Sequence, residues 1–142
     1  MIVISPVKLG DIIQLESEFI DVRGVACPSH SFVVVYDQAD TFRGIPYDLA
    51  CTIISSFKSD TDKVKKMGYP YNIEVPAKDT VMTIPNAHNK DGFTKAEQLY
   101  LFSFAKTPFH VIGNIIEELV KYIIEFINSI PENDLVFIKD NL

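Results

Sequence analysis

The sequence predicts a mainly β fold, a small antiparallel β-barrel with an α-helix at its C-terminal end. Short β-branched or aromatic runs alternate with turn signals through most of the chain, and a helical period emerges only near residue 114. No two runs are separated by a helix long enough for a parallel crossover. With 142 residues, 47% of them hydrophobic, the chain has about one domain's worth of length and the apolar side chains for a core, so residues 1–142 are read as a single domain.

The runs that read as strands are Asp11 to Phe19, Ser31 to Tyr36, Leu49 to Ser55, Tyr71 to Val75, Thr80 to Ile84 and Ala96 to Phe104. Pro28, Pro70 and Pro76 fall between them, where a missing N–H removes no ladder hydrogen bond. The helix is expected in NIIEELVKYIIEFINSI, with Asn114 as N-cap and Glu117 three residues on completing a capping box. Ile115, Ile116, Leu119, Val120, Ile123, Ile124 and Ile127 make a broad apolar stripe, with Glu118, Lys121, Glu125 and Asn128 on the opposite side, so the stripe is expected to pack on the barrel. The segment after Pro131 reads as either a short extra strand or a frayed tail.

A formal charge of −6 opposes phosphate backbones at long range, so nucleic-acid binding requires a local basic groove. Two cysteines, Cys27 and Cys51, are too few for a secreted disulfide scaffold and read as reduced thiols. The start, MIVISPVKLGD, lacks the basic-then-apolar order of a signal peptide, and charged residues interrupt every apolar stretch before about 18 residues. The expectation is a cytoplasmic protein without a membrane partner.

The stretch CPSHSFVVVYDQ runs a polar turn straight into a β-branched strand and sets His30 at the junction. A histidine there is either a chemical group on a rigid base or an ordinary loop residue. The layout VKLGDIIQLE, a loop, HSFVVVYDQ, CTIISS, YNIEVPAKDTV, KAEQLYLFSFAK and a final amphipathic helix resembles the MazF/PemK (Kid) toxins of type II toxin–antitoxin systems, over a span from Val7 to Ile127. Gly10 and Asp11, the junction at His30, and Ile54, Ser55 and Ser56 carry the resemblance. It implies an SH3-like barrel that forms a homodimer, cuts single-stranded RNA with no metal and no cofactor, and is neutralised by a cognate antitoxin. His30 and Ser31 stand where that family has arginine and proline, and Ser55 keeps the hydroxyl of the family's threonine. The first loop, EFIDVRGVACPS, is shorter than is usual there, with Arg23 its only cation and Gly24 its only glycine.

Cleavage by the RNA's own 2′-hydroxyl needs a base for that proton, a cation or donor for the charge on the phosphate, and an acid for the departing 5′-oxygen. An imidazole titrates near neutral pH, so His30 is the candidate base or acid. Arg23 is the candidate fixed charge and Ser55 the candidate hydrogen-bond donor to a phosphate oxygen. Ser31 and Ser56 flank them as RNA contacts. The stretch SSFKSDTDKVKKMGYPY, read as a loop, interleaves Lys58, Lys63, Lys65 and Lys66 with Phe57, Tyr69 and Tyr71. Lys58, Tyr69 and Tyr71 are therefore candidate contacts for phosphates and stacked bases.

Two rival chemistries draw on the same residues: a zinc site from Cys27, His30, Cys51, His88 and His110, and a thiol nucleophile at Cys27 with His30 as its base. The first lacks a second close ligand pair. A further alternative is a non-catalytic barrel that only docks a protein or nucleic-acid partner.

Overall fold

Alternation along one strand sets the architecture: in β1 (Asp11–Leu15), Ile13 and Leu15 enter one core while Ile12 enters another. The computed structural model describes residues 7–84 and 90–142. After β1 a small hairpin, β2 (Phe19–Ile20) with β3 (Ala26–Cys27), leads into β4 (Ser31–Tyr36). A second hairpin, β5 (Asp40–Phe42) with β6 (Ile45–Tyr47), turns through Arg43 and Gly44 at φ 52° and 79°, the two positive values that a type I′ turn requires. There follow β7 (Leu49–Ser56), α1 (Asp60–Met67), β8 (Asn72–Val75), β9 (Thr80–Met82), β10 (Gly92–Lys95), β11 (Gln98–Phe102) and β12 (Phe109–Ile115). The chain ends in α2 (Glu117–Ser129) and β13 (Val136–Ile138).

Among the described residues the main sheet runs β13-β11-β7-β4-β1-β12-β9 and is antiparallel except where β13 joins β11. Strand β7 holds β4 on one edge and β11 and β10 end to end on the other, with Cys51 opposite Tyr100 and Ser55 opposite Phe93. The break between β10 and β11 lets two elements attach outside them: Ala96 N–H donates to Tyr71, and the Glu97 carbonyl accepts from Val136 N–H. The sheet curls into a half-barrel, so its two faces bury different cores. One is aromatic, with Phe32 packed edge-on against Phe19, Tyr100 and Phe102 at 5.1–5.2 Å between ring centroids. The other is aliphatic, where Val120, Ile123 and Ile127 of α2 meet Ile12, Val33 and Ile73.

The mainly β, mostly antiparallel expectation holds, and so does the packing of the helix stripe on the sheet. The capping box does not form. Asn114 lies in β12, paired with Asp11 and Val81, and α2 starts at Glu117 after Ile116 with no side-chain cap. The sheet wins because Ile115 N–H donates to the Gly10 carbonyl, which draws 109–115 into a strand that the helical period had partly claimed. Nor is the lysine stretch a loop: Ser59 caps α1 by accepting from Asp62 N–H at 3.0 Å, with Asp60 and Asp62 in the first turn and Lys65 and Lys66 in the last. The first predicted strand stops at Leu15, the last shortens to β11, β10 forms just before it where no strand was expected, and the tail after Pro131 becomes a short strand.

Gly10 lies tight against the Val120 side chain of α2. At φ +87° its position would set a Cβ 2.3 Å from Val120 Cγ2, against the helix that covers the aliphatic core. Gly10→Ala is expected to destabilise the fold by about 3 kcal/mol, combining left-handed strain with overpacking. Urea denaturation checks this, and a midpoint equal to wild type would show that α2 moves away at no cost.

Candidate functional site

The ladder between β4 and β7 begins at Phe32–Ile53, so the next carbonyl on β7, that of Ile54, has no strand partner from β4. The His30 ring takes it: Nε2 lies 2.5 Å from the Ile54 oxygen and donates to it. That bond fixes a proton on Nε2 and leaves Nδ1 as the acceptor of the neutral ring, with no partner among the described residues. Phe19 and Phe32, with ring centroids 6.4 and 6.3 Å away, hold the imidazole in place.

His30 is the wall between two cavities. The larger, about 470 Å³, is lined by Arg23, Cys27, His30, Ser55, Lys95, Gln98 and Tyr100 among others. The three residues proposed for catalysis, His30, Arg23 and Ser55, are thus brought to one space. The smaller, about 230 Å³, takes His30 with Ser31 and Ser56, and adds Gln14 and Lys90. Strand alternation makes the division, since Ser55 and Ser56 leave opposite faces of β7. Lys58 lies outside both, in a neighbouring hollow with Phe57, Lys63 and Lys90. Tyr69 and Tyr71 line neither of the His30 cavities. The Tyr71 hydroxyl instead donates to Asp134 at 2.5 Å.

Arg23 does not face the cavity as an unshared cation. Its Nε and Nη2 both donate to Asp21 Oδ2, at 2.8 and 2.6 Å. Asp21 also accepts from the N–H groups of Arg23 and Val25 and from Cys27 Sγ, and is buried. The Arg23 guanidinium foremost, with the Val25 N–H, holds the Asp21 carboxyl down at about 2. Arg23 itself is 70% exposed, which leaves Nη1 for a ligand but with its charge largely balanced. Lys95, at the end of β10, is the cation that sequence reasoning missed: it lines the same cavity and has no ion pair among the described residues. No short window of sequence signals it: the register Phe93↔Ser55, which two-residue alternation extends to Lys95, puts it there. Burial pushes the Tyr100 phenol up to about 12, so it stays a donor in the cavity.

The residues weighed for a zinc site are separated by the fold, whereas Cys27 and His30 share a cavity without bonding to each other. Cys51 is fully buried in the aromatic core, His110 sits exposed beside Glu16, and His88 is outside the described residues. Burial raises the Cys27 thiol above its ordinary range, and its hydrogen goes to Asp21 and Val25, not to His30. No helix among the described residues is long and apolar enough to cross a membrane. The chain matches no family model, no curated protein and no solved structure.

Asp21 titrates below its ordinary 3.8, so its contribution to stability is fully present above about pH 4 and is lost as pH falls through about 2. Asp21→Asn should flatten this acid limb of the melting temperature. Identical acid limbs in thermal melts of the two proteins would mean the Arg23 pair is not what holds the loop.

Proposed function

We propose that the protein is a MazF/PemK-like toxin, an SH3-like barrel that cleaves single-stranded RNA without a metal ion. The observation that carries this reading is that Arg23 and His30, from the connection between β1 and β4, and Ser55, from β7, line one cavity with Lys95. His30 Nδ1 takes the proton of the ribose 2′-hydroxyl. The 2′-oxygen then attacks phosphorus, the bond to the 5′-oxygen breaks, and that oxygen leaves as an alcohol after taking a proton from water in the cavity. Lys95 supplies the unshared positive charge beside the phosphate, Arg23 a donor through Nη1, and Ser55 a hydroxyl to one phosphate oxygen. Two copies of the 16.0 kDa chain form the working unit, and a cognate antitoxin blocks the cleft.

The ion pair of Asp21 with Arg23 favours a second reading, in which the barrel binds single-stranded RNA or a protein partner at this cleft without cutting. Incubating the protein with long RNA in EDTA separates the two. Cleavage to 2′,3′-cyclic phosphate ends is expected, whereas intact RNA across a range of sequences and pH would leave only the binding module. His30→Ala is expected to lower cleavage by about 10²–10⁴-fold, and Lys95→Met to lower it by about 10²-fold, with both variants folded by circular dichroism. Wild-type cutting by either would remove that residue from the mechanism. Light scattering at micromolar concentration should give a dimer, and a monomer would count against the toxin reading.

A further inference from the structure

We propose that the smaller cavity beside His30 receives one unstacked nucleobase next to the cleaved phosphate, and that Gln14 determines which base enters. The inference rests on the ribonuclease reading for its substrate class, but its own observations are separate. His30 and Ser29 belong to both cavities, so a phosphate set against His30 on the Arg23 side has its neighbouring base within reach of the other. Ile12, Ile54, Val75, Met82 and Ile112 give the cavity apolar walls, and Gln14, Ser31 and Ser56 add polar groups. A nucleobase has that composition, an apolar face and a hydrogen-bonding edge, and an unstacked base is what proteins read in single-stranded RNA. At about 230 Å³ the cavity is the smaller of the two, suited to one base and not to a stacked pair.

Gln14 is held for this task. Its backbone is paired on both edges, with Ser31 on β4 and His110 on β12. Ser31 Oγ donates to its Oε1 at 2.6 Å, which fixes the amide and leaves the Nε2 hydrogens without a partner among the described residues. The pocket therefore presents a donor. It favours a base edge that presents a carbonyl oxygen, such as that of uracil or guanine, over the edge of adenine, where the amino donor stands beside each ring-nitrogen acceptor and faces the Gln14 donor. Lys90, exposed and with no ion pair among the described residues, lines both this cavity and the hollow of Phe57, Lys58 and Lys63. The strand leaves the pocket along that route, with Lys90 on its next phosphate.

The test is to cut a random-sequence single-stranded RNA pool in EDTA and map the ends. Wild type should disfavour adenine at one position flanking the cut. Gln14→Glu, which presents acceptors only, should move the adenine-to-uracil ratio at that position roughly tenfold toward adenine. Gln14→Met, which presents neither, should flatten the preference and guards against a glutamate variant that fails to fold. Binding of 2′-deoxy homopolymers, followed by fluorescence anisotropy, reads the pocket without cleavage. Should wild type cut nothing while Gln14→Glu still reorders the homopolymers toward oligo-dA, the pocket stands and the ribonuclease reading falls. Should wild type cut RNA while both variants keep its base preference and homopolymer order, the assignment of Gln14 is overturned and the ribonuclease reading is untouched. An unchanged homopolymer order in the absence of cleavage overturns it as well.

Discussion

The Ile54 carbonyl is the constraint around which the site is organised. Strand β4 stops pairing with β7 at Phe32–Ile53, and a carbonyl left without a donor costs about 1–3 kcal/mol when buried. The His30 ring supplies the donor, and three consequences follow from that single bond. The tautomer is fixed, the ring plane is held between two strands, and the imidazole becomes a partition between cavities on opposite faces of one sheet. Whatever chemistry Nδ1 performs, it performs from a base that the fold already requires.

This explains why some of the molecule was legible in the sequence and some was not. The strands at 31–36 and 49–56 read clearly because β-branched runs are bounded by turn residues, and α2 read clearly because its four-residue period survives intact. The capping box at Asn114 was locally sound and globally overruled: the same residues are needed between β1 and β9. A local rule loses to a sheet that would otherwise leave the Gly10 carbonyl unpaired. In α1 the reverse occurred, since Ser59 caps a helix inside a stretch whose interleaved lysines and aromatics suggested a loop. The site was legible residue by residue but not as a set. His30, Ser55 and Arg23 converge through the pairing of β4 with β7 and the fold of the β2–β3 hairpin, and pairing registers are not written in any short window of sequence.

Electrostatics divides the work differently from what the sequence suggested. In a chain with 19 acidic and 13 basic residues, a cation's usefulness depends on whether an acid has already claimed it. Arg23 is claimed by Asp21, in a loop whose turn needs that carboxylate for two backbone N–H groups, so the pair is first a device for folding 21–25. Lys63 is likewise held by Glu74. Lys95 and Lys90 are not so held among the described residues, and they stand on either side of His30, one in each cavity. A phosphate drawn to the cleft therefore meets its unbalanced positive charge from the lysines, while the guanidinium contributes direction more than field. Because Lys90 is exposed and Lys95 half-buried at the cavity wall, that attraction acts largely through water and weakens with salt, and the cleft must rely on shape and hydrogen bonding, from Ser55 on one side and Gln14 on the other, to hold a strand in register.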